Sequence, residues 1–284
     1  MPSLSVPYAL GGTLTEQQRL MAQARGLEEQ AASMLDSMAI EQGAQAVDVG
    51  CGPIGIMNLL SERVGAKGTV VGVEREPRFV DMARAEVKER GLRNVKVIHA
   101  DALQTGLEKN AYDVAHERLM LINLPRAEQE ALLIEMFSLL KPGGIIALQE
   151  FDSASYVCYP EHPSWTLLLN TWNDVFQSTG GNEFVGRSLA HRLHCLGAKN
   201  VEMKIHVGVA QIGEYRRTHL LSLIASMRDL VLASARISKS ELQDHMAALS
   251  AHLADPRTTL IDKLVVQAWG QKPRRQTPGF SGHF

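Results

Sequence analysis

Scarcity is the first thing this 284-residue chain offers. Three cysteines occur, Cys51, Cys158 and Cys195, odd in number and far apart, which excludes a disulfide framework and favours a reducing compartment. No uninterrupted apolar run reaches the ~18 residues of a membrane-spanning helix. The opening MPSLSVPYALGG lacks a basic n-region and an apolar h-region, so a cytoplasmic chain without membrane partners is expected. Neither sign of charge dominates, with 29 Lys plus Arg against 31 Asp plus Glu, and the bulk positive field that holds a phosphate backbone is missing. That balance excludes nucleic acid as a partner and favours a small molecule. Hydrophobic residues make up 45% and charged residues 21%, the balance of a globular chain with a real core.

Apolar periodicity alternates between strand and helix. A capping pair, Thr13 and Glu16, precedes apolar residues at Leu20, Ala24, Leu27, Ala31, Met34, Leu35 and Met38, which predicts one N-terminal helix. Then come AQAVDVG (strand), a glycine-rich turn over 50–55, a helix to Val64 and GTVVGVERE (strand). Pro77 opens a helix ending near Gly91, followed by the strand NVKVIHAD. YDVAHE, a helix over PRAEQEALLIEMFSLLKPGG with a glycine stop, and the strand IIALQEFD complete five alternations. Further on, a helix is expected over 163–179, another over 188–196, a sixth strand over NVEMKIHVGVAQI, two helices within 215–254 and a last strand in KLVVQAWGQKP. The pattern predicts an α/β fold built on a doubly wound, mostly parallel seven-stranded sheet. The expected division is a helical lid over 1–42, a core over 43–212 and 262–273, a helical cap over 213–261 and a flexible tail over 274–284. Apolar helix faces near 13–38 and 215–235 make a homo-oligomer an open expectation.

The most informative segment is AVDVGCGPIG. Gly50-x-Gly52-x-x-Gly55 stands between a strand and a helix, where glycines permit a tight turn and close approach of a ligand to helical N–H groups. By itself this pattern also fits nicotinamide-dependent oxidoreductases. Asp48 precedes the first glycine, Glu74 ends the second strand and Asp101 ends the third, so three carboxylates meet at the carboxyl edge of adjacent strands. They suit a cationic, donor-rich ligand.

VDVGCGPIG, VVGVERE, HADAL, YDVAHERLMLINLP and LLKPGGIIALQE together resemble the class I S-adenosylmethionine-dependent methyltransferases, in that family's order and spacing over about 105 residues. The resemblance is to the small-molecule type of the ubiquinone and menaquinone pathways and of natural-product tailoring. It implies a Rossmann-like sheet and S-adenosylmethionine as cofactor, with S-adenosylhomocysteine as product. It further implies that Gly50, Cys51 and Gly52 pass under the cofactor, with Asp48 near its aminoacyl end. Glu74 would accept the ribose hydroxyls, Asp101 the adenine amino group, and Ala102 would supply an N–H. Glu117 and Arg118 fall at the cofactor too; Arg118 matches an arginine common there, whereas Glu117 replaces a small residue. Tyr8-x-x-Gly11 with Glu16, Arg19, Leu20 and Gln23 resembles the lid helix of these enzymes, which places Gln23 at the methionine part and Tyr8 over the methyl group.

Methyl transfer from a sulfonium is an in-line displacement needing alignment and a water-poor site, and a base only for some acceptors. The candidates after strands four and five are His116, Glu150, Asp152 and His162. Trp165 and Trp172 are candidates for an aromatic substrate pocket, a buried helix face being the other use for them. His191-x-x-His194-Cys195 gives no more than two converging ligands, so no metal is expected. Arg216 and Arg217 read as solvated surface. The cap residues Leu220, Leu221, Leu223, Ile224, Met227, Leu230 and Val231 suggest a partly hydrophobic acceptor, methylated on O, N or C. A cyclisation or rearrangement on the same fold, with the cofactor retained, is the alternative.

Overall fold

The computed structural model describes residues 14 to 274, so Tyr8, the Thr13 cap and most of the expected tail lie outside the described residues. Short β-branched runs build the centre: β1 (Gln45–Val49), β2 (Thr69–Glu74), β3 (Val95–His99), β4 (Tyr112–Arg118) and β5 (Leu140–Asp152). Later strands are β6 (Val157–Tyr159), β7 (Lys199–His206), β8 (Thr259–Ile261) and β9 (Leu264–Gln271). One seven-stranded sheet has the order β3-β2-β1-β4-β5-β9-β7. Its first five members run parallel, and β9 is antiparallel to both β5 and β7. Because β1 lies between β2 and β4, the crossovers part on either side of it and a crevice opens at the carboxyl ends of these strands. Two apolar clusters sandwich the sheet. One holds Leu148 and Leu132, the other Leu60 and Val70.

The N-terminal helix is two helices. α1 (Leu14–Gly26) and α2 (Glu28–Ser37) break at Leu27, which takes φ −110° and ψ 3° after Gly26. The stripe divides because its residues serve different places. Leu20 and Ala24 line a cavity, Leu27 joins one core cluster, and Ala31, Met34 and Leu35 join the other. Between the strands run α3 (Met57–Val64), α4 (Pro77–Glu89) and α5 (Arg126–Leu139). The expected glycine stop after α5 is part of β5 instead. Leu140 pairs with Tyr112, the register then shifts, and Gly143 N–H donates to Lys272 O at 2.8 Å. Strand partners on both sides thus take the backbone groups that a loop would expose.

Beyond β5, α6 (Pro163–Ser178) and α7 (Leu189–Cys195) follow as expected, while β7 stops at His206 rather than near 212. The two helices expected within 215–254 are a 3₁₀ turn over Tyr215–Thr218 and three helices, α8 (His219–Ser226), α9 (Arg228–Ala233) and α10 (Lys239–Ala254). Ser238 and Glu241 form a capping box on α10. A two-stranded β6-β8 ribbon, absent from the expectations, ties the cap to the end of β5. Leu220, Leu223, Ile224, Met227 and Val231 pack into this chain's own core, which removes that helix face as a reason for self-association. Among the described residues no helix is long and apolar enough to cross a membrane.

Arg217 is a correction with energetic weight. It is buried, and its guanidinium donates to Leu253 O (2.8 Å), Ala210 O (3.0 Å), Asp255 O (3.1 Å) and Thr258 O (2.6 Å). The planar fork satisfies four carbonyls that close the cap onto the core. Replacement by leucine orphans all of them, so Arg217→Leu should destabilise the fold by about 3 kcal/mol or more. Arg217→Lys, with its donors on one nitrogen, should recover only part of that loss, as read by the thermal midpoint.

Candidate active site

The glycine turn folds back on β2. Gly50 and Cys51 N–H both donate to Val73 O, at 2.8 and 3.0 Å. Gly50, Gly52 and Gly55 have φ of +69°, +59° and +49°, a region that L side chains rarely adopt. At Gly55 a Cβ would stand 2.5 Å from Asp48 Oδ2, whereas at Gly52 it would meet nothing and project into open space. Gly55 makes room for Asp48, and Gly52 leaves its room to a ligand.

Asp48 is buried and spends both oxygens on the scaffold. Oδ2 accepts Ile56 N–H at 3.1 Å and Oδ1 accepts His116 Nδ1–H at 2.7 Å. Because a carboxylate only accepts, the proton of this second bond belongs to Nδ1. His116 is fully buried, and its Nε2 has no hydrogen-bond partner among the described residues. The ring belongs to the sheet's interior.

A cavity of about 460 Å³ occupies the crevice. Gly50, Cys51, Gly52 and Asp48 lie along it at β1, Glu74 at β2, Asp101 and Ala102 after β3, Arg118 at β4, and Gln23 on α1 above. Nine of the ten residues expected at the cofactor are therefore brought together. Glu74 Oε1 accepts the N–H groups of Arg75 (2.8 Å) and Glu76 (2.7 Å), and Oε2 accepts that of Gly52 (3.0 Å). Burial pushes its carboxyl above the ordinary range, and these three donors act against the push. A carboxylate has about four acceptor positions, so gripping two ligand hydroxyls requires the longest of these contacts, from Gly52, to yield. Asp101 Oδ1 caps its own turn through Leu103 N–H at 2.8 Å. Arg118 donates to Gly55 O at 3.2 Å.

Glu117 is the tenth residue, and it lies beneath the cavity wall. Its Oε2 accepts Met120 N–H at 3.1 Å, and Glu150 Oε1 accepts Ile122 N–H at 3.3 Å. Both carboxyls are fully buried, and Glu117 Oε1 and Glu150 Oε2 have no donor among the described residues. Two bare charges at that spot would repel in a poor dielectric; a proton on Glu150 turns the pair into donor and acceptor. Burial pushes Glu117 up to about 7, and burial followed by the neighbouring Glu117 pushes Glu150 well above the carboxylate range. The pair holds the segment that starts at Leu119, a left-handed residue at φ +57°. Asn123 Nδ2 and Gln129 Nε2 pin the same segment through Leu119 O (2.7 Å), Leu121 O (2.9 Å) and Leu124 O (2.8 Å).

The residues expected to act as bases do not line this cavity. His116 and Glu150 are spent as described. Asp152 is buried and forked by Arg187, with Nε at 2.6 Å and Nη2 at 2.7 Å. His162 caps α6 by accepting Ser164 N–H at 3.2 Å, and its ring sits 4.6 Å from that of His252. Trp165 packs edge-on to Tyr156 and Trp172 stacks on Phe176, both in the core, where Trp172 Nε1–H bonds Glu183. Missed at the wall were Phe79, Met120, Asn123, Glu128 and Thr179. Nothing in their local spacing marks them, since loops and a helix start bring them in from elsewhere.

A doubly wound sheet with a glycine turn and acidic strand tips around one cavity has the build of the nucleotide- and nucleoside-binding α/β class. A family model described as a methyltransferase domain matches residues 40–184, and the chain belongs to that family. It is 35% identical over 186 residues to a demethylmenaquinone methyltransferase of Geobacillus stearothermophilus, covering 61% of this chain and 79% of that one. A demethylmenaquinone methyltransferase of Listeria welshimeri is 30% identical over 135 residues, covering 48% of this chain. The chain spans about half the length of that relative, 54%. Phosphoethanolamine N-methyltransferase 2 of Haemonchus contortus, solved with phosphomonomethylethanolamine and S-adenosylhomocysteine, shares the fold with a TM-score of 0.60 at 14% identity, over 96% of this chain and 61% of that one. The YcgJ protein of Bacillus subtilis does so with a TM-score of 0.57 at 14% identity, over 87% and 99%.

The accepting carboxyl of this pair, Glu117, carries a pH signature. Glu117 binds its proton more readily folded, at about 7, than at its ordinary 4.5, so the folded state holds more protons between those limits. Stability should therefore fall as pH rises through that window. In Glu117→Gln, which donates to Glu150 without titrating, the fall should flatten and the protein should gain stability above about pH 7. Thermal midpoints across the window decide this, and an unchanged slope contradicts the titration of Glu117.

Proposed function

We propose that this chain binds S-adenosylmethionine in the crevice over β1, β2 and β3 and transfers its methyl group to a small, partly hydrophobic acceptor. The observation that carries the reading is Glu74, a half-buried carboxylate on the cavity wall beside the side-chain-free space at Gly52. Such a group accepts ribose hydroxyls and repels a 2′-phosphate. Asp101 and Ala102 offer an acceptor and an N–H to the adenine edge. Arg118, a cation lining the cavity near Asp48, suits the ligand's carboxylate, and Gln23 covers the same end from α1.

When bound, the cofactor supplies an electrophilic methyl group on a positively charged sulfur. The chain's part is alignment and exclusion of water. α1 roofs the cavity with Leu20, Gln23 and Ala24, and the pinned segment at Leu119 and Met120 forms the wall towards β4. The acceptor named for the curated relatives, demethylmenaquinone, fits the small and partly hydrophobic class proposed here.

Titration calorimetry with S-adenosylmethionine, S-adenosylhomocysteine and NADH tests the reading. The first two should bind and NADH should not; the reverse order overturns it. Glu74→Ala should weaken S-adenosylhomocysteine binding by about 1 to 3 kcal/mol, roughly five- to 150-fold, for the lost hydroxyl contacts.

A further inference from the structure

The carboxyl edge of the sheet continues past the acidic tips to β4 and β5, where cations join the buried carboxyls of Glu150 and Asp152. Phe151, near the end of β5, has its ring 6.0 Å from that of His219, the first residue of α8. The Tyr215 ring lies on His219 at 5.1 Å. Lys263 Nζ, buried and paired with Glu183 at 3.0 Å, stands 5.9 Å from the Phe151 ring and 5.1 Å from the Tyr156 ring. Arg19 reaches the same place from α1, which packs against both α8 and the 3₁₀ turn before it. Its Nη1 also donates to Gln23 Oε1 at 2.6 Å, one step from the cofactor cavity that Gln23 roofs.

His219 itself is 3% exposed, and its Nε2 has no hydrogen-bond partner among the described residues. A buried ring nitrogen without a partner costs free energy in the ligand-free protein, and a ligand hydroxyl would recover it. No function described above uses this atom. Burial first, then Lys263 and Arg19, hold the imidazole well below its ordinary range, so it is neutral at neutral pH and takes a proton only when a negative charge forms beside it.

We propose that His219 Nε2 is the group that receives the acceptor's proton, and that the acceptor is a phenol or enol whose oxyanion lies between His219, Lys263 and Arg19. The inference rests on the methyl-transfer reading above. An acceptor O–H bond breaks, its proton goes to Nε2, and its electron pair stays on oxygen. That pair then bonds the methyl carbon while the carbon–sulfur bond breaks with its pair on sulfur, and the imidazolium releases its proton to water. Two nearby cations favour the oxyanion, and the oxyanion in turn permits a charge on His219 that the cations alone suppress. Phe151 and Tyr215 supply the apolar walls for an aromatic ring.

The test uses 4-nitrophenol as probe, titrated by its visible absorbance in the presence of S-adenosylhomocysteine, where no transfer can occur. In the wild type the bound probe should ionise about tenfold more readily than in water, one pH unit. In His219→Gln, with S-adenosylhomocysteine binding retained, that shift should vanish. Histidine ring resonances give a second readout in the wild type alone: one imidazole should pass from neutral to charged as the phenol binds. Failure of the phenol to bind, no change in its ionisation, or no new imidazolium overturns the proposal. Loss of S-adenosylhomocysteine binding in the wild type would instead overturn the reading it rests on.

Discussion

The site depends on one buried anion. Asp48, next to last in β1, has both oxygens engaged, one by the N–H that precedes α3 and one by a ring on β4. It can do so because Gly55 has no side chain; a Cβ there would overlap Oδ2. Three elements are thereby fixed relative to one another around the glycine turn. A buried charge is tolerated only while its partners persist, so the contact is cooperative: loss of either donor would leave an uncompensated carboxylate in the core. The turn's positive φ values at Gly50, Gly52 and Gly55 are sustained by this anchor and by Val73 O.

The opposite wall is held by the same kind of chemistry with a different charge state. Leu119 occupies a conformation that costs a non-glycine residue about 1 to 2 kcal/mol. Carboxyls of Glu117 and Glu150, and the amides of Asn123 and Gln129, take up the backbone groups of the segment that follows. A pair of carboxyls can serve in an apolar interior because one proton serves both. The cavity walls are thus set by buried polar groups, of which Glu117, Glu150 and His116 do not line the cavity.

The first five strands, the glycine turn and the acidic tips were legible in the sequence because each is a local pattern: β-branched runs, punctuating glycines, a charge at a strand end. What escaped depends on partners far along the chain. Arg216 and Arg217 look alike as neighbours, yet Arg217 Nε meets Leu253 O 36 residues away and its Nη2 meets Thr258 O 41 residues away. The segment after α5 carries helix-ending glycines, and only the approach of β9 makes it a strand. One apolar stripe over 20–38 cannot say that its residues face a cavity and two separate clusters. His116, Glu150 and Asp152 were expected as bases from their place at strand ends, but alternation within a strand sends such residues into the interior as readily as into the crevice. His219 gave no signal at all, since a histidine opening a helix is ordinary until the sheet's edge closes around it.

Charge along that edge is divided. Carboxylates at β1, β2 and the turn after β3 face the place proposed for a cationic donor, and Lys263 with Arg19 faces the place proposed for an acceptor that turns anionic. Each reactant is held in part by a charge that the reaction removes, because methyl transfer from a sulfonium to an oxyanion yields two neutral products. In a site of low dielectric the loss of both attractions is larger than it would be in water. On that proposal the hydroxyl and amino contacts to the nucleoside survive the transfer, so the demethylated cofactor is held better than the methylated acceptor.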